Sequence, residues 1–283
     1  PLKHPVNLAY EAATADLNDV NMIDSFHLEA YGETVVNYNR DCEIFPVVHA
    51  MFELIYGKSP YKSPTDMGVN MAGNCIVDDL VCREASKQEI IRRYYKSLCE
   101  KRRNGSTKND IYKLELLMKQ AEISVEDRKV TVAALEREKE NGGKPAMAIE
   151  LPDGTIVTGG TSELLGAASS ALLNALKALA GIQKDIKLIE PSAIDPIQTL
   201  KINYLGSKNP RLHTDEVLTA LSATAANNET AMLAMKQLPE LKGCDAHSSV
   251  LLSNVDEKIL NKLGIQLTCE PKYEEDGRMY HKD

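Results

Sequence analysis

A chain of 283 residues, 43% hydrophobic and 26% charged, has ordinary globular composition and enough length for two domains. Its formal net charge of −8 argues against a general nucleic-acid binder. No apolar run reaches membrane-spanning length and no signal peptide opens the chain. The six Cys form no C-x-x-C pair, so they read as reduced, mostly buried thiols of a cytoplasmic protein.

The opening Pro1-Leu2-Lys3-His4-Pro5 lacks an initiator Met and a helix cap, as a chain cut between domains would. Residues 1–141 read as a helix-rich domain. Helices are expected over residues 7–17, 39–56 (bent at Pro46), 82–103, 110–122 and 125–140. Between the second and third lies a polar loop, residues 58–74, containing Lys58, Lys62, Ser63, Thr65, Asn70 and Asn74. Lys side chains beside Gly-rich backbone suit a phosphate group. The competing reading is a packed connector whose Pro and Asn are turn residues. Asn141-Gly142-Gly143 breaks the helical pattern, and a boundary is expected there, with a second domain over residues 142–283.

Residues 146–151 and 155–158 are β-prone runs flanking Pro152-Asp153-Gly154, which is hairpin chemistry. Thr161 or Ser162 is expected to cap a helix over residues 163–180 that is apolar nearly all round and stops at Gly181. A strand is expected at 187–190 and helices at 196–205, 215–226 and 229–238. A strand at 248–253, a helix at 256–263 and a strand at 265–269 follow.

A hairpin feeding a long helix resembles the opening of the zinc nucleoside deaminases. The fold class that follows is α+β or α/β: a helix-rich domain, then a deaminase-like α-β-α sandwich. That chemistry needs H-x-E at the helix start and P-C-x-x-C before the next helix. Here those positions fall near Ala168 and Ser170, and on Pro191-Ser192-Ala193-Ile194-Asp195, so no zinc is expected. Thr161, Ser162, Ser192 and Asp195 gather at two helix starts, which favour anions but also recruit such residues as ordinary caps.

Longer stretches, among them HPVNLAYEAATADLNDVNMID, SPYKSPTDMGVNMAGNCIVDD, KLELLMKQAEISVEDRKV and LPDGTIVTGG, resemble the bacterial family called domain of unknown function 1846. The resemblance implies members longer at the N-terminus, with an α/β domain holding a phosphate-loop-like segment. This chain would then be a C-terminal part only, and ATP or another nucleotide would bind through the missing domain. Some members are labelled ATP-dependent peptidases, yet H-E-x-x-H and G-x-S-x-G are absent here. No catalytic residue carries over from the family.

Three functions remain open. The first is a nucleotide- or phosphometabolite-handling enzyme. The second is an oligomerisation module, as a dimer or larger. The third is a peptidase, which no motif supports. The expected partners are a second copy of the chain and a small phosphorylated ligand, without nucleic acid or membrane.

Overall fold

The computed structural model describes residues 38–60, 79–105, 111–112, 114–115, 118–119 and 122–274. Two compact units are formed, Pro1–Tyr94 with Thr107–Asp127, and Tyr95–Ser106 with Arg128–Asp283. The helix expected at 7–17 and residues 61–74 of the polar loop lie outside the described residues.

In the first unit, α1 spans Tyr38–Tyr56 and runs through Pro46. Helix α2 spans Asp79–Asn104, and its last residues are grouped with the second unit. Ile90 and Ile91 of α2 are buried, as are Ile111, Met118 and Ile123. Glu89, also buried, pairs with Arg92 at 2.8 Å and Arg93 at 3.0 Å one turn on. The 3-10 turn Val125–Asp127 closes when Ser124 N–H donates to the Asp127 carboxylate at 2.7 Å.

The expected helix 125–140 is therefore split, and α3 begins only at Lys129 and ends at Glu140. Arg128 is the reason. Its backbone is extended, and its fully buried guanidinium donates to Asp245 at 2.8 Å, Thr268 at 3.0 Å, and the carbonyls of Ala246 and Gln266. A buried cation needs that many acceptors to offset its lost hydration.

The second unit holds a four-stranded sheet in the order β2-β1-β3-β4. Strands β1 (Ala146–Glu150) and β2 (Ile156–Gly160) form the expected hairpin. Gly154 takes φ +82, and the Asp153 carboxylate accepts from Thr155 N–H at 2.9 Å. Helix α4 (Ala167–Leu179) follows, then α5 (Pro191–Thr199) running into a π-helical turn Leu200–Tyr204. Next come α6 (Thr214–Ala225), α7 (Glu229–Met235) and a 3-10 turn Leu238–Leu241. Strand β3 (Asp245–Ser248), α8 (Asn254–Lys262) and β4 (Gln266–Cys269) complete the order. Strand β1 is antiparallel to β2 and β3, and β3 is parallel to β4.

Side chains alternate across the sheet. Ala148 and Ile156 meet Val130 and Ala134 of α3 on one face. Met147 and Ile149 join Ala171, Leu172, Ala175 and Leu176 of α4 in the main core on the other. The described structure is thus mixed α and β with helices on both faces of one small sheet.

Further expectations need correction, among them the helix expected at 196–205, which begins at Pro191 and turns π-helical after Thr199. Residues 187–190 form no strand; Leu188 and Ile189 are buried in the main core, and Pro191 opens α5 directly after. Strand β3 ends at Ser248 where a strand was expected to begin, because the Ser248 hydroxyl bonds both the carbonyl and the N–H of Val250 and turns the chain. Helix α4 starts four residues late because Ser162 Oγ takes the N–H groups of Leu164 and Leu165 in a separate turn. The thiol expectation agrees with the structure at Cys99, Cys244 and Cys269, which are free and buried. Burial pushes the Cys99 pKa to about 12 and the Cys244 pKa to about 11.

Strand β2 and α4 touch backbone to backbone at Gly159. A Cβ there would lie 2.1 Å from the amide nitrogen of Ala171. One residue earlier, the Thr158 carbonyl accepts from the Asn174 amide at 3.0 Å. Gly159→Ala is expected to cost about 3 kcal/mol, the upper range of core overpacking, measured as a lowered urea midpoint at unchanged slope. A neutral substitution would show that the helix stands off the sheet.

Candidate functional site

Helices α4, α6 and α8 of the second unit present their first turns to one cavity of about 40 Å³, room for roughly three waters. The cavity also meets Thr161, just past the end of β2, and Val250, just past the end of β3. Strands β2 and β3, both antiparallel to β1, point the same way, so both deliver the chain to this cavity.

Each helix start is fixed locally. Ser253 Oγ caps α8 by accepting from Asp256 N–H at 3.1 Å. The α6 start is closed by Glu216, whose carboxylate accepts from His213 N–H at 2.7 Å. Helix α4 is different. Its N-cap is Gly166, which has no side chain to offer, so its first-turn N–H groups have no side-chain cap. The α4 start is held instead through the Leu212 carbonyl, which accepts from Ser169 Oγ at 2.9 Å and Gly166 N–H at 3.4 Å.

Asp256 joins α6 to α8. It accepts from Thr214 N–H at 2.8 Å, from His213 Nδ1 at 2.9 Å and from Ser253 Oγ at 2.7 Å. Burial opposes charge on both partners of the His213–Asp256 pair. On His213 the hydrogen bond and charge of Asp256 outweigh burial and hold the ring pKa above its ordinary value. On Asp256 burial is likewise overcome by His213, Thr214 N–H and Ser253, and its pKa falls below the usual carboxylate value.

Ser253, His213 and Asp256 are the residue types of a serine-hydrolase triad without its geometry. A relay needs the Ser and the Asp on opposite ring nitrogens. Here Asp256 lies 2.9 Å and Ser253 3.4 Å from the same nitrogen, Nδ1. Among the described residues both contacts of the His213 ring are made at Nδ1, and Nε2 has no hydrogen bond.

Arg211 forms another side of the cavity. Its Nη1 donates to Glu274 at 2.6 Å, and Asn209 Oδ1 accepts from its backbone N–H at 3.1 Å. Beneath it, buried Lys201 from the π-helical turn donates to the Arg211 carbonyl and to Glu216, both at 2.7 Å. Arg211 and His213 are therefore held on one braced strand of chain.

The residues expected from sequence scatter. Thr161 and Ala168 line the cavity, whereas Ser162 is exposed in its turn. Ser192 and Asp195 are exposed on α5 and do not line the cavity. Lys58 is exposed after α1 in the first unit, and Lys62, Ser63, Thr65, Asn70 and Asn74 lie outside the described residues. Among the described residues no group of three or more His, Cys, Asp or Glu could hold a metal, and no helix is long and apolar enough to cross a membrane.

Family models match both parts of the chain: domain of unknown function DUF1846, N-terminal, at residues 1–122, and DUF1846, C-terminal, at residues 126–280. The chain belongs to the DUF1846 family. The expectation of a C-terminal part only is corrected by the N-terminal match. Similar DUF1846 relatives include the UPF0371 protein cu0538 of Corynebacterium urealyticum, 58% identical over 273 residues, covering 96% of this chain and 55% of the relative. The UPF0371 protein str1377 of Streptococcus thermophilus is 58% identical over 282 residues, covering 100% of this chain and 57% of the relative. The chain thus spans a little over half the length of these relatives. Every cavity residue named above falls within the DUF1846 C-terminal match.

The paired charges set a pH window. His213, with its raised pKa, stabilises the fold fully below the unfolded histidine value, and that contribution is lost as pH rises through the raised pKa. Asp256, with its lowered pKa, contributes above the unfolded carboxylate value, and that contribution is lost as pH falls through the lowered pKa. The pair therefore stabilises most between those two limits. Asp256→Asn should drop the His213 pKa below the ordinary histidine value, because burial, aided by the Lys201 charge, then outweighs the remaining pull of Glu216, and should cost about 3 kcal/mol. NMR titration of the His213 ring checks the first, and an unmoved pKa would refute the pairing.

Proposed function

We propose that the second unit binds a small anionic metabolite in this cavity, with His213 exchanging a proton with it. The observation that carries the reading is the uncapped first turn of α4 opening on the same cavity as Arg211 and His213. Free N–H groups and the helix dipole favour an anion, a guanidinium adds a charge-assisted donor, and an imidazole tied at Nδ1 to a carboxylate is oriented for acid–base work. This keeps the phosphometabolite-handling reading of the sequence but moves its site from the 58–74 loop to the second unit.

A deaminase-like reading of the unit is supported by the hairpin feeding α4 and by helices on both sheet faces. Ala168, which that resemblance puts at a zinc ligand's position, lines the cavity. In this reading Arg211 and the helix start supply the positive field that a metal gives in the zinc enzymes.

Titration of the full chain with inorganic phosphate, followed by calorimetry, tests the site. Arg211→Ala is expected to weaken binding by about 1.5–3 kcal/mol, the scale of a hydrogen bond to a charged group. Absent binding, or equal binding by the variant, would defeat the proposal.

A second reading, assembly through the first unit, is favoured by Val47, Met51, Leu54 and Ile55, which sit at helical spacing on α1 and are all exposed, Leu54 at 88%. Light scattering at micromolar concentration is expected to give a dimer or larger. Met51→Glu with Leu54→Glu should return it to a monomer, and a monomeric wild type would end this reading.

A further inference from the structure

We infer that Glu274 is a built-in competitor for the cavity, and that it makes the cavity selective for a phosphate dianion over carboxylates. The inference rests on the anion-binding reading above. The Glu274 side chain is 8% exposed, forms part of the cavity wall, and already gives Arg211 a carboxylate partner at 2.6 Å. The stretch that delivers it is anchored along its length. Leu251 N–H donates to the Lys272 carbonyl at 2.8 Å, Lys272 Nζ reaches Glu138 at 2.9 Å, and the Arg102 guanidinium lies 5.4 Å from the Tyr273 ring centre.

A carboxylate held in this way acts on Arg211 at an effective concentration in at least the millimolar range. A free monocarboxylate offers Arg211 the same group that Glu274 already supplies, and gives up its own translational freedom to do so. A phosphate dianion differs in kind. It brings about twice the charge and three strong acceptor oxygens, enough for Arg211, the α4 N–H groups and His213 at once. The other cavity carboxylate, Asp256, cannot play the competitor's part. Its oxygens are occupied by His213, Thr214 and Ser253.

The test titrates the full wild-type chain, Glu274→Gln, Glu274→Ala and Arg211→Ala with inorganic phosphate and with acetate near neutral pH, circular dichroism confirming that each is folded. Wild type is expected to prefer phosphate by at least about tenfold, and Glu274→Gln to tighten acetate by about tenfold and phosphate by less, which narrows the preference. In the wild type itself, phosphate and not acetate should shift the Glu274 carboxyl resonance, a readout that needs no variant to fold. Equal phosphate and acetate affinities in wild type overturn the inference. So does an unmoved Glu274 resonance, or a preference unchanged in both Glu274 variants. If those results come with Arg211-dependent phosphate binding, the competitor falls and the anion cavity stands. If no folded variant binds phosphate, both fall.

Discussion

The arrangement of the second unit around its cavity depends on one buried carboxylate. Asp256 is the third residue of α8, yet it accepts from the first backbone N–H of α6, from the imidazole that precedes α6, and from its own cap serine. A carboxylate taken from water costs several kcal/mol unless its lone pairs are filled, and these three donors fill them. Because the donors come from two separate helices, the carboxylate is satisfied only when α6 and α8 start side by side. The electrostatic requirement thus becomes a geometric one, and the His213 ring inherits a fixed orientation from it.

The same logic operates at the edge of the sheet. Arg128 leaves the helical path so that its guanidinium can reach Asp245, Thr268 and two carbonyls of β3 and β4. Thr268 in turn serves buried His247 at 2.8 Å, and His247 lies 3.3 Å from Glu270, which also accepts from Tyr95 at 3.0 Å. Burial lowers the His247 pKa in spite of Glu270, whereas at the better-paired His213 burial is outweighed by Asp256 and the pKa is raised. Two histidines of one unit are pushed in opposite directions by the balance between burial and carboxylate contact. Glu270 also begins the stretch that ends at Glu274, so the buried network and the cavity wall are joined through five residues of backbone.

What was legible in the sequence was local. Pro152-Asp153-Gly154 has one good conformation between two β-prone runs, and the hairpin formed there. The apolar run of α4 announced a helix buried broadly, and eight of its thirteen residues are buried. Register was less legible. The run from Val250 to Leu252 is apolar enough for a strand, but the Ser248 hydroxyl competes for the backbone and turns it. At the site, Thr161 and Ala168 could be placed because they sit on the hairpin-helix segment. Arg211, His213, Asp256 and Glu274 could not, since 63 positions separate Arg211 from its carboxylate and 43 separate His213 from its own. Ser253 stands three residues ahead of Asp256 and His213 three ahead of Glu216, but that spacing is common to ordinary helix starts and does not mark a site.

Charge balance then decides what the cavity can attract. Arg211 is matched by Glu274 and His213 by Asp256, while Lys201 and Glu216 form a third pair behind them. Three matched pairs give little net field. The uncompensated element is the first turn of α4, whose N-cap is glycine and whose neighbours in the cavity are Ala167 and Ala168. A side-chain cap at that point would satisfy the free N–H groups and cancel the partial positive charge of the helix end. Glycine and alanine supply no such cap, and all three residues line the cavity. Glycine at an N-cap costs only a few tenths of a kcal/mol relative to a capping side chain, so the open start of α4 is a small burden on stability, and in the proposed reading it is the place where an anion would accept from the backbone.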